Sequence, residues 1–585
     1  MGRTKYPALA AALALMLVLG LLVGCGPKAG TPGQGQPEGA AGPEPGGTLF
    51  IGSLADVSTM NGIHVADTTS DMLTDMVDDS LVDVGPKLEY TPLLAERWET
   101  SSDGTTWTFY LRKNVKWHDG HPFTAEDVVF TYLAILHPEY TGVRAKNYSC
   151  LVGAEEYQAK LADLQKQKAD GKLDDAQYQA QIMAAFEEFK AKGSIKALTD
   201  YAVQFVLKEP YAPFLDTMGI NILPAHVLKD HMGKDMKDQE YSRKPIGCGA
   251  WRFVEWVTGE RVVVEANPDY WGGRPYLDRI VVKVIPDQNT MNVALETQEI
   301  DCGTIIPEDF DRFKAMPHLN IYEYPELSYT YLGLNLLNPL FQDVRVRQAI
   351  AHAIDRETMI KEIFQGHGIV AHTHGNPICW DYNPDVPKYP YDPAKARQLL
   401  SEAGWSDPDN DRVLEKDGKE FAFTLMTNAG NKIREQAAVV SQEQLKAVGM
   451  KVTTQLVEWS TFVNKHLLAK NFEAVIVGWR LSPDPDSFTI WHSKGGPFNF
   501  VSYSNAQVDS LLEQGRRETD MEKRKPIYAE IQRILALEQP YVFLYFPNTI
   551  RGINKRVQGP IQGHPLDIFY NVHQWYIPKA QQGTT

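Results

Sequence analysis

One segment governs where the rest of this chain must fold. Arg3 and Lys5 precede an apolar run over residues 8–23, which ends at Gly24-Cys25. Two cations followed by an apolar stretch is the layout of an export signal. The run also approaches bilayer-spanning length, so a plain membrane anchor is the alternative. The body downstream is expected outside the cytoplasm. Residues 26–47 hold eight Gly and five Pro among 22, with no apolar periodicity. Such a stretch cannot bury enough surface to fold. As a flexible coil it would reach roughly 25 Å, from about 5–6 Å times √n.

Leu22-Val23-Gly24-Cys25 resembles the bacterial lipobox, whose cysteine is acylated after cleavage between Gly24 and Cys25. Residues 1–24 are therefore expected to be a removed signal peptide. Residues 25–46 would be the lipidated Cys25 and its linker. The anchor would hold the body at the extracytoplasmic face of the cell envelope, in the periplasm or at the cell surface.

Composition narrows the classes further. The 585 residues exceed what one compact core supports, and two to four domains are expected. A count of 58 Lys+Arg against 74 Asp+Glu gives a net charge of −16. That balance argues against a nucleic-acid partner, whose binding would come from neutralised phosphates. Mean hydropathy of −0.32 excludes a polytopic membrane protein. The five cysteines contain no C-x-x-C and support neither a zinc ribbon nor a dense disulfide framework. At most one disulfide is expected among Cys150, Cys248, Cys302 and Cys379.

From Gly47 onward the pattern is mixed α/β. Strands are predicted at 48–51, 107–111, 261–265, 280–285 and 474–477, and helices at 344–354, 394–403 and 434–448. Thr124 and Asp127 form a capping box before Val128. Residues 154–193 differ. Tyr157, Leu161 and Leu164 make one helical stripe; Tyr178, Ile182, Ala185, Phe186 and Phe189 make a second, with Asp170-Gly171 between them and Asp174 or Asp175 as cap. The prediction is a helical hairpin packed on one domain.

Residues 93–133 carry the most specific pattern. They read Leu93-Leu94-Ala95-Glu96-Arg97-Trp98, then Asp103-Gly104 and Trp107-Thr108-Phe109, then Val115-Lys116-Trp117-His118-Asp119-Gly120, then Pro122-Phe123-Thr124-Ala125-Glu126-Asp127-Val128. This closely resembles the signature of the family 5 solute-binding proteins, which deliver peptides, nickel chelates or oligosaccharides to ABC importers. Further blocks agree in order: Gly247-Cys248-Gly249-Ala250-Trp251, Asn267-Pro268-Asp269-Tyr270-Trp271, Asn335 with Asp343-Val344-Arg345, and Tyr391-Asp392-Pro393 through Gly404-Trp405. The 154–193 hairpin looks like an insertion.

The resemblance implies a two-lobed, three-domain α/β fold of the periplasmic peptide-binding type. Domain I would comprise 47–85, 205–320 and 541–585. Domain II would be 86–204 and domain III 321–540. It also implies a peptide ligand, ABC permease subunits as partners, a monomer, and no cofactor or metal. The expected binding loop is Gly478 to Asp486, which follows a buried-looking strand. Its candidate contacts are Trp479, Arg480, Leu481, Ser482 and Asp484, joined by Asn61 and Trp380. Family members that clamp a peptide amine place an Asp three residues after the tryptophan of this loop. Here that position is Ser482, or Leu481 if the loop is gapped differently, and the first acid is Asp484. Backbone and aromatic contacts are therefore expected to dominate, with Asp484 as the rival anchor.

Signals of catalysis are weak. No H-E-x-x-H, G-x-S-x-G, P-loop or complete dinucleotide fingerprint occurs. His372 and His374 lack an evident third ligand, so a surface or lining role is expected. Asp407, Asp409 and Asp411 begin like a calcium loop, but Arg412 takes the glycine position and Gly418 that of the bidentate Glu. A solvated turn is the expectation. The favoured function is a peptide receptor of an importer. The same role for an oligosaccharide or nickel chelate follows it, and a secreted hydrolase is remote.

Overall fold

The computed structural model describes residues 43–583 apart from 234, 235, 237 and 238. The signal segment and Cys25 lie outside the described residues. From Pro43 onward the chain forms one compact unit.

Its N-terminal part opens with strand β1 (Thr48–Ser53) and helix α1 (Thr68–Val77). Asp67 caps α1 by accepting from the Ser70 amide, and the chain turns extended at Asp78. A four-stranded antiparallel sheet follows from β2 (Ala95–Thr100) and β3 (Thr106–Leu111). Alternation buries Trp107, Phe109 and Leu111 on one face of β3. Helix α2 (Ala125–Ile135) starts at the expected capping box, with both reciprocal bonds present. Asp127 does more than cap. One carboxylate oxygen accepts from the Trp117 indole at 3.3 Å, and the other from the Ala225 amide at 2.9 Å. The 93–133 motif thus ties a loop, a helix start and a distant segment to one buried acid.

The hairpin is present as α3 (Ala154–Ala169) and α4 (Asp175–Ala191), and Asp174 caps the second helix. It is not a free arm. Tyr157 donates its hydroxyl to the Leu136 carbonyl and stacks on Phe189 at 5.1 Å. Phe186 meets His137 edge-on. Strands β4 (Ile195–Thr199) and β5 (Ala202–Val206) then complete the small sheet in the order β2-β3-β5-β4.

A second sheet spans the rest. Strands β6 (Trp251–Val257), β7 (Arg261–Ala266), β8 (Arg279–Val284) and β9 (Cys302–Thr304) gather round β1. Beyond them come β10 (Leu319–Pro325), β11 (Ser328–Leu334), β12 (Ala422–Asn428), β13 (Lys451–Val457) and β14 (Ala474–Arg480). The two groups are joined by β15 (Tyr541–Asn554), which pairs with β11 at its start and with β9 and β10 further along. At ~3.3 Å per residue this single strand crosses well over 40 Å. The sheet order is β13-β12-β14-β11-β15-β9-β1-β8-β7-β6. The predicted helices appear at Val344–Ala353, Pro393–Glu402 and Lys432–Lys446. Cys150, Cys248 and Cys302 are buried, Cys379 is half-buried, and all four are free thiols. Burial pushes the Cys150 and Cys302 thiols up to about 12, so neither is a ready nucleophile.

Candidate functional site

A cavity of about 560 Å³ opens where α1, the segment after it, residues 216–221, the loop after β14 and residues 564–573 converge. That volume lies within the ~300–1,000 Å³ of ligand pockets. A neighbouring cavity of about 370 Å³ shares Asp71, Asp75, Arg480 and Asp567 with it.

Local sequence explains the wall. In α1, Leu73, Thr74 and Val77 are buried in the core. Asp71 and Met72, with Asp75 and Met76 one turn on, line the cavity. Residues four apart lie on one helical face, which stacks two carboxylates. The helix ends at Val77, and Asp78, Asp79 and Asp83 continue the acidic wall. Asp216 and Asp567 line it from remote parts of the chain.

Desolvation dominates the electrostatics. It pushes the Asp79 carboxyl up to about 7, against the Trp271 indole N–H, which donates at 2.7 Å. It lifts Asp216 to about 7 as well, reinforced by Asp484 and opposed by donors from Ser482 and Tyr90. Asp78 is held well above the carboxylate range by burial, then by Asp79 and Asp75. Asp75 is raised by desolvation within the cleft, then by Asp71, although the Asn221 amide donates to it at 3.0 Å.

The predicted site residues separate into two groups. Arg480, Leu481 and Ser482 line the cavity. Trp479 does not. It shares a strand face with Val475 and Val477, and its indole stacks on Phe500 at 4.9 Å and meets Phe498 edge-on. The expected acidic rival is also committed elsewhere: both Asp484 oxygens accept from Arg524, at 2.7 and 2.8 Å, with both side chains buried. Trp380 packs edge-on against Tyr528, with the same Arg524 over its ring. Asn61 is fully buried and donates to the Met236 carbonyl. These four support the surroundings instead of lining the cavity.

The acidic wall was missed in the sequence, although a signal existed. Residues 67–83 contain six Asp, two of which sit four apart within an amphipathic helix. The aromatic residues that line the cavity are Trp251, Tyr270, Phe569 and Tyr570, none of them from domain III as drawn above.

Among the described residues two groups have metal-ligand proximity. Asp119, His121 and His226 bring ligand atoms within 4.8 Å of one another, as do Asp407, Asp409 and Asp411. In the second group the carboxylates accept from the Arg412, Asp411 and Val413 amides of their own turn. The lining or surface role expected of His374 is corrected. It is buried between Trp491 and Phe543, which pushes its imidazole down to about 3.

Comparison with known proteins agrees with the architecture. The model of the bacterial extracellular solute-binding proteins, family 5, matches residues 89–500. The oligopeptide-binding protein AppA of Bacillus subtilis is 35% identical over 576 residues, covering 97% of this chain and 98% of that protein. Its structure with a nonapeptide superimposes with a TM-score of 0.76, covering 92% of this chain and 100% of that one. NikZ of Campylobacter jejuni, solved with Ni(L-His), gives a TM-score of 0.74 at 25% identity, over 90% and 99% of the two chains.

Proposed function

The chain belongs to the family 5 bacterial extracellular solute-binding proteins, and from that membership we propose that it captures peptides outside the cytoplasm and delivers them to the permease of an ABC importer. The observation that carries this reading is the 35% identity to an oligopeptide-binding protein along nearly the whole chain. A cavity walled by several segments fits it, because lobes that close on a ligand bind by differential affinity for the open and closed states.

In this reading Arg480, Leu481 and Ser482 contact the peptide. Trp479, Asp484, Trp380 and Asn61 hold the loop and its surroundings in place. The three-domain division fits the same scheme, with β15 serving both domain III, through β11, and domain I, through β9. The protein acts as a monomer, binds no nucleic acid and breaks no bond in its ligand. Native mass spectrometry of the purified protein should find a peptide, and calorimetry with that peptide should return it unmodified. A hydrolysed peptide would overturn the receptor role. Exclusive binding of an oligosaccharide or nickel chelate would overturn the ligand class.

Anchoring is part of the proposal. Among the described residues no helix is long and apolar enough to cross a membrane; the lipobox-like Leu22-Val23-Gly24-Cys25 supports attachment through acylated Cys25. Wild type is expected in the membrane fraction and Cys25→Ser in the soluble one. Identical soluble fractionation of both would rule the anchor out.

A further inference from the structure

Several buried or largely buried acids outside the cavity are paired with arginine. Asp484 is held by Arg524, Asp486 by Arg516 at 2.7 Å and Asp301 by Arg556 at 2.6 Å. Seven aspartates line the cavity, and among the described residues none of the seven joins an ion pair. The arginines nearby are turned to other partners. Arg112 donates to the Leu93 carbonyl and lies over Trp271; Arg144 donates to the Val65 carbonyl and Arg480 to that of Leu566. Arg551 lies beyond, in the wall of the neighbouring cavity.

Asp78 is the sharpest case. It lines the cavity at 1% exposure, and neither carboxylate oxygen has a hydrogen-bond partner. It also caps the C-terminus of α1, where the helix dipole is negative and where the last turn carries no basic residue. An unpaired buried acid beside like charges destabilises a fold, and a complementary cation removes that penalty.

We propose that the cavity selects cationic peptides, and that Asp78 receives a ligand ammonium or guanidinium, with Asp75 and Asp79 beside it. The proposal rests on the peptide reading above and adds a charge preference to it. It is tested by calorimetry at low salt with alanine–glycine nonapeptides carrying no charged side chain, two lysines, or two glutamates. The lysine peptide is expected to bind at least tenfold tighter than the uncharged one, and the glutamate peptide more weakly than either. Asp78→Asn should remove most of the lysine advantage over the uncharged peptide. Asp75→Asn, on a side chain open to the cavity, should reduce the same advantage by about threefold without touching the core. Equal affinity for lysine and uncharged peptides would overturn the charge preference and leave the peptide role standing. A uniform loss across all peptides in both variants would show that the acids serve only structure. If no nonapeptide binds, the peptide role fails and the preference falls with it.

Discussion

Replacing Asp484 by alanine is expected to cost the fold about 3–5 kcal/mol, and replacing Arg524 alone should cost a similar amount. The two side chains form a bidentate pair at 2.7 and 2.8 Å, with only 6% and 7% of the side chains exposed. Arg524 also donates from Nε to the Gly515 carbonyl and from its fork to the Tyr528 hydroxyl. Removing either member strands the other as an uncompensated buried charge, which is far costlier than the net worth of the pair. Urea denaturation of both single variants and of a double variant, Asp484→Leu with Arg524→Met, separates these effects. The double variant should lose less than either single, because no charge remains unpaired. If Asp484→Ala shifts stability by under about 1 kcal/mol, the pair is not structural and the aspartate is available to a ligand after all.

That pair also shows what could be read from the sequence and what could not. Local chemistry was legible. The capping box at Thr124 and Asp127, a cap at Asp174 or Asp175 and the two stripes of the hairpin depend on neighbours three or four residues away; each appears in the structure, with Asp174 as the cap. The strand starting at Ala474 was legible too, but it runs on to Arg480 through the first three residues of the expected loop, and the direction of Trp479 was not legible. Strand alternation fixes only that Trp479 and Arg480 point to opposite faces. Which face holds Phe500 is decided by long-range packing. Asp484 read as a free acid because Arg524 lies forty residues away. The cavity was hidden for the same reason. The i, i+4 acids of α1 are visible in the sequence, whereas Asp216 and Asp567 reach the same wall through topology alone.

The unpaired wall should also set how stability responds to pH, and Asp79 isolates the effect. In the folded protein its carboxyl lies at about 7, raised chiefly by burial, whereas an unfolded aspartate titrates near 3.9. Between these values the folded state holds a proton that the unfolded state has released. Unfolding is then favoured by rising pH, so the native state weakens through this window and the loss is complete above the folded value. Whole-protein curves mix this with an opposing term. His372 and His374, pushed down to about 4 and about 3, make the folded state bind fewer protons below the ordinary histidine range. A difference measurement removes that term. Asparagine resembles the protonated acid and can still accept from the Trp271 indole. Asp79→Asn is therefore expected to gain about 2–3 kcal/mol more over wild type at pH 8 than at pH 5, at ~1.4 kcal/mol per unit up to the folded value. Denaturation midpoints of both proteins at the two pH values would show it. A constant difference would mean that Asp79 is already matched by a cation in the folded protein, and the reading of the cavity as an unpaired acidic wall would fail with it.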